Sequence, residues 1–223
     1  MKLALAAIAA ATLLAPAAHA ATTVQVAQGS GQRAITLSFG GPIGQVFTAA
    51  GNQLLSFGYQ LQTLNAGSPN AAVTLTIYEG AGAAGPALAS VSSTFTGIPA
   101  TRTPTWVDFD LGALSLTTGA TYSALLTSSS SRYALTYGPD INLNTGQPVP
   151  GGTDAYAGGR IVAGNGLSGI CAGTASICDA NFRYTYDNAA AVPEPASWAM
   201  MIGGIGMAGG ALRRRQRATV RFA

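Results

Sequence analysis

The sequence predicts an all-β chain, folded as a two-sheet β-sandwich of jelly-roll type, and three observations carry that expectation. Between its two ends, short runs of alternating apolar and polar residues recur, and clusters of Gly, Pro, Asn and Ser separate them. No stretch of that region sustains the i, i+3, i+4, i+7 apolar spacing of a helix surface. Successive strand side chains point to opposite faces, so each run offers one face to a core and one to water.

Taken in order, runs at 34–39, 45–47 and 54–61 open the series. Val73, Leu75 and Ile77 then alternate with Thr74, Thr76 and Tyr78. After a run at 88–91, Val107, Phe109 and Leu111 alternate with Trp106, Asp108 and Asp110. A run at 122–127 precedes Tyr133, Leu135 and Tyr137, which alternate with Arg132, Ala134 and Thr136; runs at 159–162 and 182–186 close the series. Eight to eleven strands over about 170 residues suffice for two packed sheets around a real core. From Pro139 to Gly169 the alternation fades among Asn, Gly and Pro, which predicts one long loop or a pair of loops.

The charge sits at the ends. Of the 223 residues only 9% are charged, and Lys2 with Arg213, Arg214, Arg215, Arg217 and Arg221 supplies most of the formal charge of +3. Residues 21–190 hold more carboxylates than arginines, so this stretch is slightly acidic and no nucleic-acid partner is expected. Lys2, the apolar run 3–14, Pro16 and Ala18-His19-Ala20 form the three parts of a signal peptide over 1–20, with signal peptidase cutting between Ala20 and Ala21. The β-sandwich domain then occupies 21–188, a linker 189–195, an uncharged transmembrane helix 196–212 and a basic tail 213–223. At 1.5 Å per residue that helix reaches about 25 Å, just enough to span, and the arginines after it stay cytoplasmic. The body is thereby placed outside the inner membrane.

Pro193-Glu194-Pro195, followed by Trp198, Met200, Met201 and the cluster Arg213-Arg214-Arg215, closely resembles the PEP-CTERM sorting signal of Gram-negative bacteria in its Trp-Ala-Met-Met variant. The resemblance implies an inner-membrane-anchored precursor handled by an exosortase, a transpeptidase-like membrane enzyme. It also implies a mature form in the cell envelope or outside the cell, associated with exopolysaccharide and biofilm. The body carries a second, looser likeness in Gly44-Gln45-Val46-Phe47, in residues 73–79 with Gly80, and in Leu116-Thr117-Thr118-Gly119-Ala120-Thr121-Tyr122. These segments are similar to secreted bacterial sandwich domains of carbohydrate-binding or lectin type, which implies fold more than ligand.

Export sends Cys171 and Cys178 to an oxidising compartment, where a disulfide between them is expected to pin a hairpin or loop near the last strand. A metal pair is the competing reading, but a zinc site takes four ligands and the chain after residue 20 has no His and no other Cys. Lacking His and Lys, that chain also has no Ser-His-Asp, Cys-His or Schiff-base chemistry. Glycan hydrolysis by two carboxylates needs neither residue, yet Asp108 and Asp110 share one strand face and approach a bond from the same side. The sequence therefore predicts a protein that is not an enzyme. Gly80-Ala81-Gly82-Ala83-Ala84-Gly85 fits a dinucleotide fingerprint in spacing only, because Pro86 and a strand follow where a helix is required. No cofactor and no metal are expected.

Trp106, with Asp108 and Asp110 beside it, is the candidate glycan contact, the ring for stacking and the carboxylates for hydroxyls. Tyr78 is a second candidate platform and Tyr156 a third, while the competing reading packs Trp106 beneath a loop. An exopolysaccharide-associated binding protein is the first expectation, a structural or adhesive surface protein the second, and a carboxylate glycan hydrolase the third.

Overall fold

The computed structural model describes residues 20–28, 33–139, 152–164, 171, 177–188, 201–210 and 213. The chain divides into a body, His19–Asn188, and a second unit made from both ends. In the body the described strands are β1 (Thr22–Val26), β2 (Ala34–Thr36), β3 (Ile43–Thr48), β4 (Gln53–Thr63), β5 (Val73–Glu79) and β6 (Ala87–Ser93). They continue with β7 (Thr105–Ser115), β8 (Thr121–Thr127), β9 (Tyr133–Gly138), β10 (Ile161–Ala163), β11 (Asp179–Ala180) and β12 (Phe182–Asp187). A single helical turn, α1 (Leu37–Gly40), follows β2.

Two antiparallel sheets form the body, as the alternation predicts. One has five strands in the order β10-β3-β8-β5-β6; the other has seven, with β1-β12-β4 at one end, β7 on the free edge of β4, and β9, β2 and β11 at the far end. Apolar members of each alternating set meet between the sheets: Phe47, Leu75, Ile77 and Leu126 from one, Phe57, Leu61, Phe109, Leu135 and Phe182 from the other, all at most 1% exposed. Aromatic rings fill the centre, with Phe57 5.1 Å from Phe47 and 5.7 Å from Phe182 between ring centroids.

The seven-stranded sheet forks. One edge of β4 pairs with β12 from Gln53 to Tyr59 and then with β9 from Leu61 to Thr63. The last strand segment parts from β4 at that point, so that β11 pairs with β9 instead. Asn181 stands in the fork, 1% exposed. Its side-chain amide donates to Gln60 Oε1 (2.9 Å) and Thr136 Oγ1 (3.0 Å), and its Oδ1 accepts from the Gln28 backbone N–H (2.6 Å). Both N–H groups of that amide and one acceptor position of its oxygen are thereby used where the ladder breaks.

Three expectations need correction. The run 34–39 is not one strand: pairing stops at Thr36 and the chain turns through α1, burying Leu37 and leaving Phe39 65% exposed. Glycines permit this reversal, since a Cβ on Gly41 would sit 2.6 Å from the Leu37 carbonyl oxygen. A strand at 22–26 precedes the predicted series and pairs with β12 from Phe182 to Tyr186. Twelve strands are described where eight to eleven were expected.

Part of the expected loop between 139 and 169 lies outside the described residues; its described portion, 152–164, includes β10, which adds an edge to β3. The disulfide joins Cys171 to Cys178, both buried, and the Cys178 carbonyl accepts from the Ile161 N–H at 2.9 Å. It therefore fastens the segment before β11 beside β10, near the last strand as predicted. In the other unit, residues 201–210 form a helix whose residues are all exposed. Among the described residues no helix is long and apolar enough to cross a membrane. Ten helical residues rise about 15 Å, half of a bilayer core, and most of the rest of the expected span 196–212 lies outside the described residues.

Candidate functional site

Trp106, Asp108 and Asp110 lie on the outer face of the seven-stranded sheet, opposite the buried Val107 and Phe109, as the alternation of β7 requires. Arg183 of β12 and Asp108 of β7 both stand opposite Gly58 of the intervening β4. A Cβ at Gly58 would collide with the Asp108 carboxylate, so glycine leaves the gap through which Arg183 reaches across a whole strand. Its guanidinium forks onto both Asp108 oxygens, Nε to Oδ1 at 2.8 Å and Nη2 to Oδ2, and lies 4.9 Å from the centroid of the Trp106 ring. Asp108 holds the Arg183 guanidinium even further above its ordinary pKa. The tryptophan is half-buried with a cation on one face, so that face is not an empty platform.

Asp110 Oδ1 accepts from the Gly112 N–H at 2.9 Å within its own turn. Tyr78 is half-buried on β5, in the other sheet, so the four candidate glycan contacts do not converge. Beside Tyr78 the outer face of the five-stranded sheet carries a hydroxyl ladder, with Thr74 paired to Ser92 (2.6 Å) and Thr76 to Ser90 (3.1 Å).

Further along that face lies a cavity of about 500 Å³, lined by Val46, Gly82, Thr121, Asp154, Arg160 and Val162 among others. Its volume is that of a small-molecule pocket. One wall is the loop 80–85, held to the sheet by Ser123: Gly82 N–H donates to Ser123 Oγ, which donates to the Gly80 carbonyl, both at 2.7 Å. Gly82 has φ 84, a left-handed backbone that glycine adopts without steric cost. The opposite wall runs from Asp154 to Arg160. Val46 N–H donates to the Arg160 carbonyl (2.8 Å), Thr48 Oγ1 donates to the Gly158 carbonyl (2.9 Å), and the Tyr156 ring packs edge-on against Phe182 at 5.1 Å. Tyr156, a third candidate platform, is thus spent on anchoring this wall.

Beneath that wall, Asp179 is fully buried. Gln45 Nε2 donates to its Oδ1 at 2.8 Å, while Oδ2 has no hydrogen-bond partner. Burial pushes this carboxyl up to about 7, the charge of Asp154 adds to the effect, and the Gln45 amide with the nearby backbone of Tyr156 and Ala155 opposes it. In the sequence Gln45 stands out only within the loose sandwich likeness and Asp179 only as one of the carboxylates, while Arg160 and Arg183 carry no expected role. A polar Gln within an apolar strand, and an Asp directly after a cysteine, were the available signals. Among the described residues no group of three His, Cys, Asp or Glu is placed to hold a metal ion.

At the chain ends, Ala20 and Ala21 are exposed just before β1. Met201 is 54% exposed on the helix 201–210, and Arg213 is helical and exposed. Pro193, Glu194, Pro195, Trp198, Met200, Arg214 and Arg215 lie outside the described residues, as does the signal peptide apart from Ala20. Residues 191–215 match the PEP-CTERM protein-sorting motif. No curated protein matches the chain.

Proposed function

We propose, from the premise that this chain ends in a PEP-CTERM protein-sorting motif, that it is a non-enzymatic matrix component whose sandwich associates with surface exopolysaccharide. The motif implies an exported precursor, processed by an exosortase and sorted to the cell envelope. The finer steps are our reading: signal peptidase removes residues 1–20, the helix 196–212 holds the precursor in the inner membrane, and Arg213–Arg215 stay inside. The observation that carries the reading is the order of the parts, a β-sandwich body followed by the sorting motif at 191–215. The strand orders β1-β12-β4-β7 and β3-β8-β5-β6 within the two sheets support a jelly roll, an architecture used by many lectin domains. Against hydrolysis, Asp108 is tied to Arg183, and it shares one strand face with Asp110, so the two carboxylates do not flank a bond.

Mass spectrometry of the protein recovered from cells and medium tests this. The expected mature chain begins at Ala21, carries the Cys171–Cys178 disulfide, has lost its C-terminal segment and co-sediments with the cell's own exopolysaccharide. A full-length chain in the cytosol with both thiols free overturns the sorting reading. Correct processing with no polysaccharide association favours the adhesive, protein-binding alternative.

A further inference from the structure

We propose that the cavity between the loop 80–85 and the segment 154–160 is a binding site for an acidic sugar, with Arg160 taking the anionic group and Asp154 the hydroxyls. The inference rests on the polysaccharide reading above and gives it a location and a ligand class.

Arg160 carries the argument. The other arginines of the described body have partners: Arg183 holds Asp108, Arg132 donates to the carbonyls of Ala66 and Ser68, Arg33 bonds Tyr137, and Arg102 is engaged as well. Arg160 is exposed and lines the cavity, and its side chain has no hydrogen-bond or ion-pair partner among the described residues. Its backbone, in contrast, is fixed to β3 through the Val46 N–H. A guanidinium on a fixed backbone, with its whole donor fork unused, suits a planar carboxylate.

Asp154 narrows the ligand. Asp154 lines the same cavity, and the Tyr156 N–H occupies only Oδ1 of its carboxylate, at 3.0 Å. A bare anion gains from Arg160 and loses against this carboxylate. A sugar acid presents its anion to Arg160 while its hydroxyls donate to Asp154, so it gains from both. Small residues complete the lining, Ala81, Gly82, Ala157, Gly158 and Gly159, and let a sugar ring approach the backbone. Both walls are pinned by Ser123, Thr48 and Tyr156, so binding orders little that is not already ordered.

The test is calorimetric titration of the mature chain with oligogalacturonate, a sugar phosphate, inorganic phosphate and a neutral gluco-oligosaccharide. The expected order is both acidic sugars first, the neutral oligosaccharide at least tenfold weaker, and inorganic phosphate weakest. Arg160→Gln, at an exposed position that leaves the thermal transition in place, is expected to lower acidic-sugar affinity tenfold or more and leave neutral binding within twofold. Asp154→Asn is expected to weaken both classes of sugar. Equal affinity for acidic and neutral sugars, phosphate binding as tight as the sugar acids, or an Arg160→Gln variant that binds oligogalacturonate like its parent overturns the site and leaves the polysaccharide reading standing. Failure to bind both these sugars and the cell's own exopolysaccharide overturns both.

Discussion

Arg183 shows how one side chain redirects a surface that alternation alone would assign to a ligand. Its fork onto Asp108 sits at the surface, with the two side chains 30% and 41% exposed. Such a pair contributes at most about 1 kcal/mol, because water and salt screen it and ordering two side chains costs entropy. Asp108→Asn should therefore lower stability by no more than about 1 kcal/mol in a urea titration, while the Trp106 fluorescence shifts as Arg183 is released. Ala113 makes the opposite case. It follows Gly112 in a bulge of β7, where the register against β4 slips between Leu54 and Ser56, and it carries φ 66. For an L-residue with a Cβ, the left-handed region costs about 1–2 kcal/mol, part of which glycine's larger unfolded-state entropy takes back. Ala113→Gly should raise stability by up to about 1 kcal/mol, read as a higher urea midpoint at unchanged slope.

Among the elements, the fork of the seven-stranded sheet is where the fold depends on polar groups. Asn181→Leu is close in volume but leaves the Gln28 N–H without its acceptor, while Gln60 Oε1 and Thr136 Oγ1 keep their bond to each other. At about 1–3 kcal/mol for a buried group left unsatisfied, a loss of that order is expected in chemical denaturation, with β11 protected less than β12 in hydrogen exchange. Alternation could not disclose this fork, because it fixes which face a residue takes and says nothing of which neighbour its strand pairs with. For the same reason Trp106, Asp108 and Asp110 were legible as an outward row while Arg183, far along the chain, was not. The cavity was less legible still, since its walls come from four separate segments around Val46, Gly82, Thr121 and Arg160. What remained readable were local signals: the glycine-rich turn after β5, the paired cysteines and the order of parts at the C-terminal end.

For the molecule as a whole, the buried Asp179 gives stability a pH dependence of unusual sign. In most proteins paired carboxylates titrate low in the folded state, and stability rises as they ionise. Asp179 does the reverse: burial lifts it from 3.8 to about 7, and the Gln45 amide with the nearby backbone of Tyr156 and Ala155 offsets only part of that rise. Below about pH 4 it is protonated in folded and unfolded chains alike, and its neutral form costs the fold least. Between about 4 and 7 the unfolded chain releases this proton while the folded chain keeps it, so stability falls as pH rises, by at most about 1.4 kcal/mol per pH step. Above 7 both states are ionised and the contribution levels off. Asp179→Asn keeps an oxygen for the Gln45 amide and removes the titration. Thermal unfolding of the mature chain from pH 4 to 8 should show a midpoint that declines for the parent and a flatter course for the variant, so that the variant gains on its parent as pH rises. Parallel curves for the two would mean that Asp179 is ionised in the fold throughout, with a compensating cation or water beside Oδ2.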